Sequence, residues 1–100
     1  MDRHLIIAGG GRVGAQVADV LLKADLPFVV IEFDSRRVDL LKEKGYPVIN
    51  RNAGQSLIME AAGLEKARLF LITTPALVIV GHIISFVRKQ RPDLHIVTRS

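Results

Sequence analysis

Residues 9 to 14, Gly9-Gly10-Gly11-Arg12-Val13-Gly14, have the spacing G-x-G-x-x-G. That spacing meets a specific physical demand: a tight turn, then close passage of main chain beside a pyrophosphate, then close packing of a helix on a strand. Backbone N–H groups from Gly9 to Gly14 would then face outward with the positive end of the following helix dipole, so an anion is stabilised there without any lysine. A side chain at Gly11 would take the phosphate's place. The motif gains meaning from its context. It directly follows the strand-like run Leu5-Ile6-Ile7-Ala8, opens an amphipathic stretch, and is succeeded about twenty positions on by an acid, Glu32. At the end of a second strand, the Glu32 carboxylate can accept hydrogen bonds from both hydroxyls of a ribose and would repel a 2′-phosphate, which favours NAD or AMP-like ligands over NADP.

The neighbours of this motif are more ambiguous. Phe33 and Asp34 follow the acid, and Asp34 reads first as a helix N-cap. Arg36 and Arg37 read as a solvated helix face, although one of them could stack on an adenine. Arg12 either folds back over a phosphate or stands in solvent. Thr73 and Thr74 end a later strand at the same crevice, where their hydroxyls either reach a ribose or second phosphate or do ordinary turn chemistry. No catalytic constellation can be assembled. His4 precedes the first strand, His82 lies in an apolar helix and His95 alternates along the last strand, and none has a partner at triad or metal-ligand spacing.

The elements that must position these residues alternate along the chain. Short β-branched runs are followed by helical periodicities, the mark of parallel strands joined by crossover helices. After Leu5–Ala8, the apolar residues Val13, Val17, Val20, Leu21 and Ala24 predict a first helix that ends at Leu26-Pro27. Phe28–Ile31 is a second strand, and Asp34-Ser35 starts a helix that closes at Gly45. Pro47-Val48-Ile49 is a short third strand, a brief helix runs from Ser56 to Gly63, and Arg68–Ile72 is a fourth strand. Ala76–Gln90 is a fourth helix and Leu94–Thr98 a fifth strand. Right-handed crossovers give a Rossmann-like, doubly wound α/β sheet of order 3-2-1-4-5, with the binding crevice at the carboxyl end of strand one. A sixth strand or further element is expected to follow in a longer polypeptide.

Composition is compatible with this reading and narrows it. One hundred residues, 49% of them hydrophobic, make one domain, for which a single core is feasible. The absence of cysteine excludes disulfides and thiol chemistry and is what a reducing, cytoplasmic setting permits. The 14 basic residues exceed the 10 acidic ones without forming a block, so a local anion site explains the +4 charge better than a nucleic-acid tract. No signal peptide is expected. Positions 69 to 87 carry no Asp, Glu, Lys or Arg, long enough to suggest a membrane span. The turn signal Thr73-Thr74-Pro75 instead divides them into a strand and a helix. In that helix Leu77, Val78, Ile79, Val80, Ile83, Ile84, Phe86 and Val87 are apolar nearly all round, more than one sheet face covers, which predicts a homodimer or packing against a further element.

Four segments carry a resemblance to a known family. They are residues 5–14, Phe28-Val29-Val30-Ile31-Glu32-Phe33-Asp34, the stretch Glu60-Ala61-Ala62-Gly63-Leu64-Glu65-Lys66-Ala67, and residues 91–99. Together they resemble the RCK N-terminal domain, also called TrkA-N or KTN, found on the cytoplasmic side of potassium channels, Trk-type uptake systems and Kef-type cation/proton antiporters. The antiporter branch is the most similar. The resemblance implies a non-enzymatic regulatory domain that binds NAD(H), AMP or a related adenine nucleotide, dimerises, and passes the ligand state to an attached membrane ion-transport domain. It further implies that Gly9, Gly11 and Gly14 form the phosphate loop and that Glu32 takes the place of the family's ribose-binding acid. Where the family commonly reads Gly-Asp-Ala-Thr, this chain has Arg51-Asn52-Ala53-Gly54, so an amide at Asn52, beside Ala53, would meet the adenine as donor and acceptor without a charge. Two other readings stay open: the cofactor half of an NAD-dependent dehydrogenase, and an interaction module whose glycine loop has lost its ligand.

Overall fold

The computed structural model describes residues 2–50, 55–74 and 77–98, apart from the side chains of residues 55, 56 and 77–79. The element order is β1 (Leu5–Ala8), α1 (Arg12–Lys23), β2 (Phe28–Glu32), α2 (Ser35–Glu43), β3 (Val48–Asn50), α3 (Gln55–Ala61), a 3-10 turn (Leu64–Lys66), β4 (Leu69–Ile72), α4 (Leu77–Gln90) and β5 (His95–Thr98). The strands form one sheet in the expected order β3-β2-β1-β4-β5, every pair parallel.

The non-alternating apolar runs of β1 and β2 follow from burial on both faces. Ile6, Ala8, Val29 and Ile31 face a core completed by Ile58, Met59, Leu64, Ile83 and Val87 from α3, the 3-10 turn and α4. Leu5, Ile7, Phe28 and Val30 face a second core completed by Ala18, Leu21, Leu41 and Tyr46. Burying each of the larger side chains contributes about 1.5–3 kcal/mol. His4, fully buried just before β1, donates from Nε2 to the carbonyl of Ala62 at 2.6 Å, which ties the entry of β1 to the end of α3.

Packing decides which faces of two helices turn inward. The inward side of α1 is Gly14, Ala18 and Leu21, while Val20 is 65% exposed and Ala24 is exposed. Close approach of α1 to β1 turns Gly14 toward the sheet, and Val20 then points away because neighbouring helical residues are rotated by about 100°. In α4, Ile83 and Val87 are buried and Val80, Ile84 and Phe86 pack against the core, so none of these residues is left as an exposed apolar patch. The side chains of Leu77, Val78 and Ile79 lie outside the described residues.

The apolar stretch at 69–87 divides into β4 and α4 as its turn signal requires. No helix among the described residues is long and apolar enough to cross a membrane. The cap residues also take their expected places: the Asp34 side chain accepts from the Arg36 amide at 3.0 Å, and Gly45 closes α2 with φ +83°.

Candidate functional site

The turn between β1 and α1 lies at the carboxyl ends of the strands, where β1 has β2 on one side and β4 on the other. Gly9 leaves β1 with φ +112°, a conformation that disfavours any side chain, and a Cβ there would lie 2.7 Å from Thr73 Oγ1. The Gly9 amide continues the sheet by donating to the Ile31 carbonyl at 2.8 Å. The Gly10 amide donates to Glu32 Oε1 at 2.6 Å. Gly10 faces inward, where a Cβ would meet Leu41 Cδ1, and it does not line the cleft outside. The expected row of outward amides from Gly9 to Gly14 is therefore shortened at its beginning. Those of Gly11, Arg12, Val13 and Gly14 have no acceptor among the described residues, because they form the first turn of α1.

That helix start is unusual in its chemistry. Its N-cap is Gly11, which has no side chain to accept from the free amides, the first turn contains no acid, and the first helical residue is a cation, Arg12. Each choice opposes the usual stabilisation of a helix N-terminus by oxygen atoms and negative charge. The arrangement suits an anion supplied from outside. A cleft of about 490 Å³ opens there, lined by Gly9, Gly11, Arg12, Val13 and Gly14 from the turn and by Glu32, Phe33, Asp34, Arg37, Thr73 and Thr74 from the ends of β2 and β4 and the start of α2.

Around this turn the side chains have distinct duties. Arg37 reaches over the turn, with Nη1 3.3 Å from where a Gly11 Cβ would be, whereas Arg36 pairs loosely with Asp34 at 3.7 Å. Glu32 is only 3% exposed, and its carboxylate is wrapped by amides: Oε1 accepts from Gly10, and Oε2 accepts from Phe33 at 2.7 Å and Asp34 at 2.8 Å. It is therefore neither a solvated acid nor a carboxylate with all its acceptor positions open to a sugar. Thr73 takes the turn-chemistry alternative, since its hydroxyl donates to the Gly9 carbonyl at 2.8 Å, with Ala8 O at 3.3 Å. That hydroxyl braces the glycine turn and has no proton left for a ligand. Thr74 is half-buried beside it. Asn52 and Ala53, expected near an adenine, lie outside the described residues.

A larger cleft of about 610 Å³ lies near the amino ends of the strands, bordered by Met59, Leu64, Phe86 and Arg91. Of its two lining cations, Lys66 and Arg91, Arg91 is already engaged: its Nη1 donates to the carbonyls of Leu64, Glu65 and Ala67, and its Nε pairs with Asp93. The glycine turn is the stronger candidate because the amides of Gly11 to Gly14 have no acceptor among the described residues. Among the described residues no group of three His, Asp or Glu side chains is gathered to hold a metal.

The family model for the TrkA-N domain matches residues 5–100, glycine turn and acid included. The chain belongs to the TrkA-N domain family. Relatives of this TrkA-N domain include the putative cation/proton antiporter YbaL of Escherichia coli (strain K12), 38% identical over 97 residues, which are 97% of this chain and 17% of that protein. Another is the putative K(+) efflux antiporter KefB of Alkalimonas amylolytica, 31% identical over 100 residues, which are 100% of this chain and 15% of that one. The chain thus spans less than a fifth of the antiporters it matches. Among solved structures, the TrkA-N domain of the inner membrane protein YbaL from Escherichia coli superposes with TM-score 0.87 at 37% identity, covering 99% of this chain and 73% of that one.

Proposed function

We propose that this TrkA-N domain is a sensor that binds an adenine nucleotide, AMP or NAD(H), without transforming it, and controls a cation/proton or potassium transporter of which it is a part. One observation carries the reading. The first turn of α1 offers free amides, no cap and no acid, between the cations Arg12 and Arg37 and beside a buried carboxylate. A 5′-phosphate would complete the helix start, with charge-assisted bonds of about 1.5–3 kcal/mol each. The adenosine would extend toward the end of β2, where Glu32 meets the ribose and Phe33 and Asp34 border the base. The kinship with antiporters supports placement of the domain at the cytoplasmic face of a membrane, as the regulatory piece of a longer protein.

Calorimetric titration with AMP, ATP, NAD, NADH and NADP tests the reading. AMP or NAD(H) should bind and be recovered unchanged, and NADP should bind more weakly because its 2′-phosphate meets the Glu32 carboxylate. Absence of binding by every nucleotide would favour an interaction module, and turnover of a nicotinamide cofactor by the intact protein would favour a dehydrogenase. Self-association is a companion expectation that rests on the sequence of α4 alone, apolar at Leu77, Val78, Ile79, Val80, Ile83, Ile84, Phe86 and Val87. Sedimentation should give a dimer, and a clean monomer at tens of micromolar would remove it.

A further inference from the structure

We infer that Glu32 holds a nucleotide ribose by one hydroxyl only, because the same carboxylate also fastens the glycine turn. The inference rests on the nucleotide-binding reading above and sharpens it. An ionised carboxylate has about four acceptor positions, two on each oxygen. Phe33 and Asp34 fill both positions on Oε2, at 2.7 and 2.8 Å, and Gly10 fills one on Oε1 at 2.6 Å. Among the described residues nothing fills the remaining position on Oε1, and Glu32 lies on the wall of the cleft. A cis-diol that engaged both oxygens would have to displace one of the three amides. Each amide is fixed by the fold: Gly10 sits beneath the turn against Leu41, and the amides of Phe33 and Asp34 belong to the bend that leads from β2 into the N-cap of α2. Displacement would break a charge-assisted bond to a donor that is buried at Gly10 and partly buried at Phe33 and Asp34, so the sugar is confined to the vacant position.

The consequence is an asymmetry between the two ribose hydroxyls. AMP, 2′-deoxy-AMP and 3′-deoxy-AMP titrated calorimetrically into the intact chain provide the readout. One deoxy analogue should bind within about twofold of AMP, and the other should bind about tenfold or more weakly, the range for a hydrogen bond to a charged group. Equal losses of tenfold for both analogues would overturn the inference by showing that each hydroxyl has its own acceptor. No loss for either would overturn it by showing that neither reaches the carboxylate. Those two outcomes leave nucleotide binding itself intact, whereas failure of AMP, NAD and NADH alike to bind the unmodified chain would remove both proposals together. An independent readout follows Glu32 directly. The Gly10 amide, held in a short charge-assisted bond, should stay protected from hydrogen exchange when AMP saturates the site. Faster exchange of Gly10 on AMP binding would mean that the sugar has displaced it and that the shared-carboxylate arrangement is wrong.

Discussion

Gly11→Asp is expected to abolish AMP binding, a loss of a hundredfold or more, while leaving the thermal stability of the domain unchanged or slightly raised. The backbone at Gly11, φ −72° and ψ −158°, is open to any residue. A Cβ there would meet only the end of the flexible Arg37 side chain, at 3.3 Å. An aspartate at the N-cap accepts from the free amides of the first turn, and relative to glycine that adds a few tenths of a kcal/mol to stability. The same contact ends phosphate binding, since the new carboxylate occupies the amides and draws Arg37 to itself. Losing two charge-assisted hydrogen bonds removes about 3 kcal/mol or more, equivalent to a hundredfold or more in affinity. Calorimetry combined with a thermal melt separates the two effects. Undiminished binding by a folded Gly11→Asp protein would show that the phosphate does not sit at the start of α1.

Gly14→Ala should do the opposite, damaging the fold before it touches the ligand. A Cβ at Gly14 would overlap the Gly9 carbonyl oxygen and lie 3.0 Å from both the Gly9 carbonyl carbon and Thr73 Oγ1. Two of those three atoms are main chain, so α1 would have to lift from β1 and disturb the contacts of Ala18 and Leu21. Overpacking of this severity costs about 3 kcal/mol or more, offset by about 1 kcal/mol from removing a glycine inside a helix. The net loss of about 2 kcal/mol should lower Tm by about 10 °C for a domain of this size. Gly81, exposed in α4 with nothing within 4 Å of its Cβ position, is the internal control. There the same replacement should raise stability by up to about 1 kcal/mol. A Gly14→Ala protein that melts with the unaltered chain would show that the helix and strand are not in close contact.

The contrast between Gly11 and Gly14 shows why the glycine motif was informative before any coordinates. Each glycine in it answers a separate steric demand, and those demands follow from covalent geometry and from the strand-turn-helix order. Strand order was accessible for a similar reason. Apolar runs without alternation need cover on both faces, crossovers are right-handed, and few arrangements of five strands satisfy both. The caps at Asp34 and Gly45 were readable because they depend on residues adjacent in the chain.

The duties of Glu32 and Thr73 were out of reach in the same sequence. Glu32 bonds to Gly10 across 22 positions, and Thr73 bonds to Gly9 across 64. Neither contact leaves a local trace, so a carboxylate committed to three amides reads like one awaiting a ribose. Arg37 reads as a surface cation until α2 is placed over the turn. The inward face of α1 likewise depends on how near Gly14 comes to Gly9, a distance between elements that periodicity does not report. Short-range sterics and the pattern of apolar residues were enough to place the glycine turn at the edge of a parallel sheet in the right strand order. Which donors and acceptors of that turn stay open to a ligand was decided only by packing, because hydrogen-bond capacity is allotted among groups that meet in space and not along the chain.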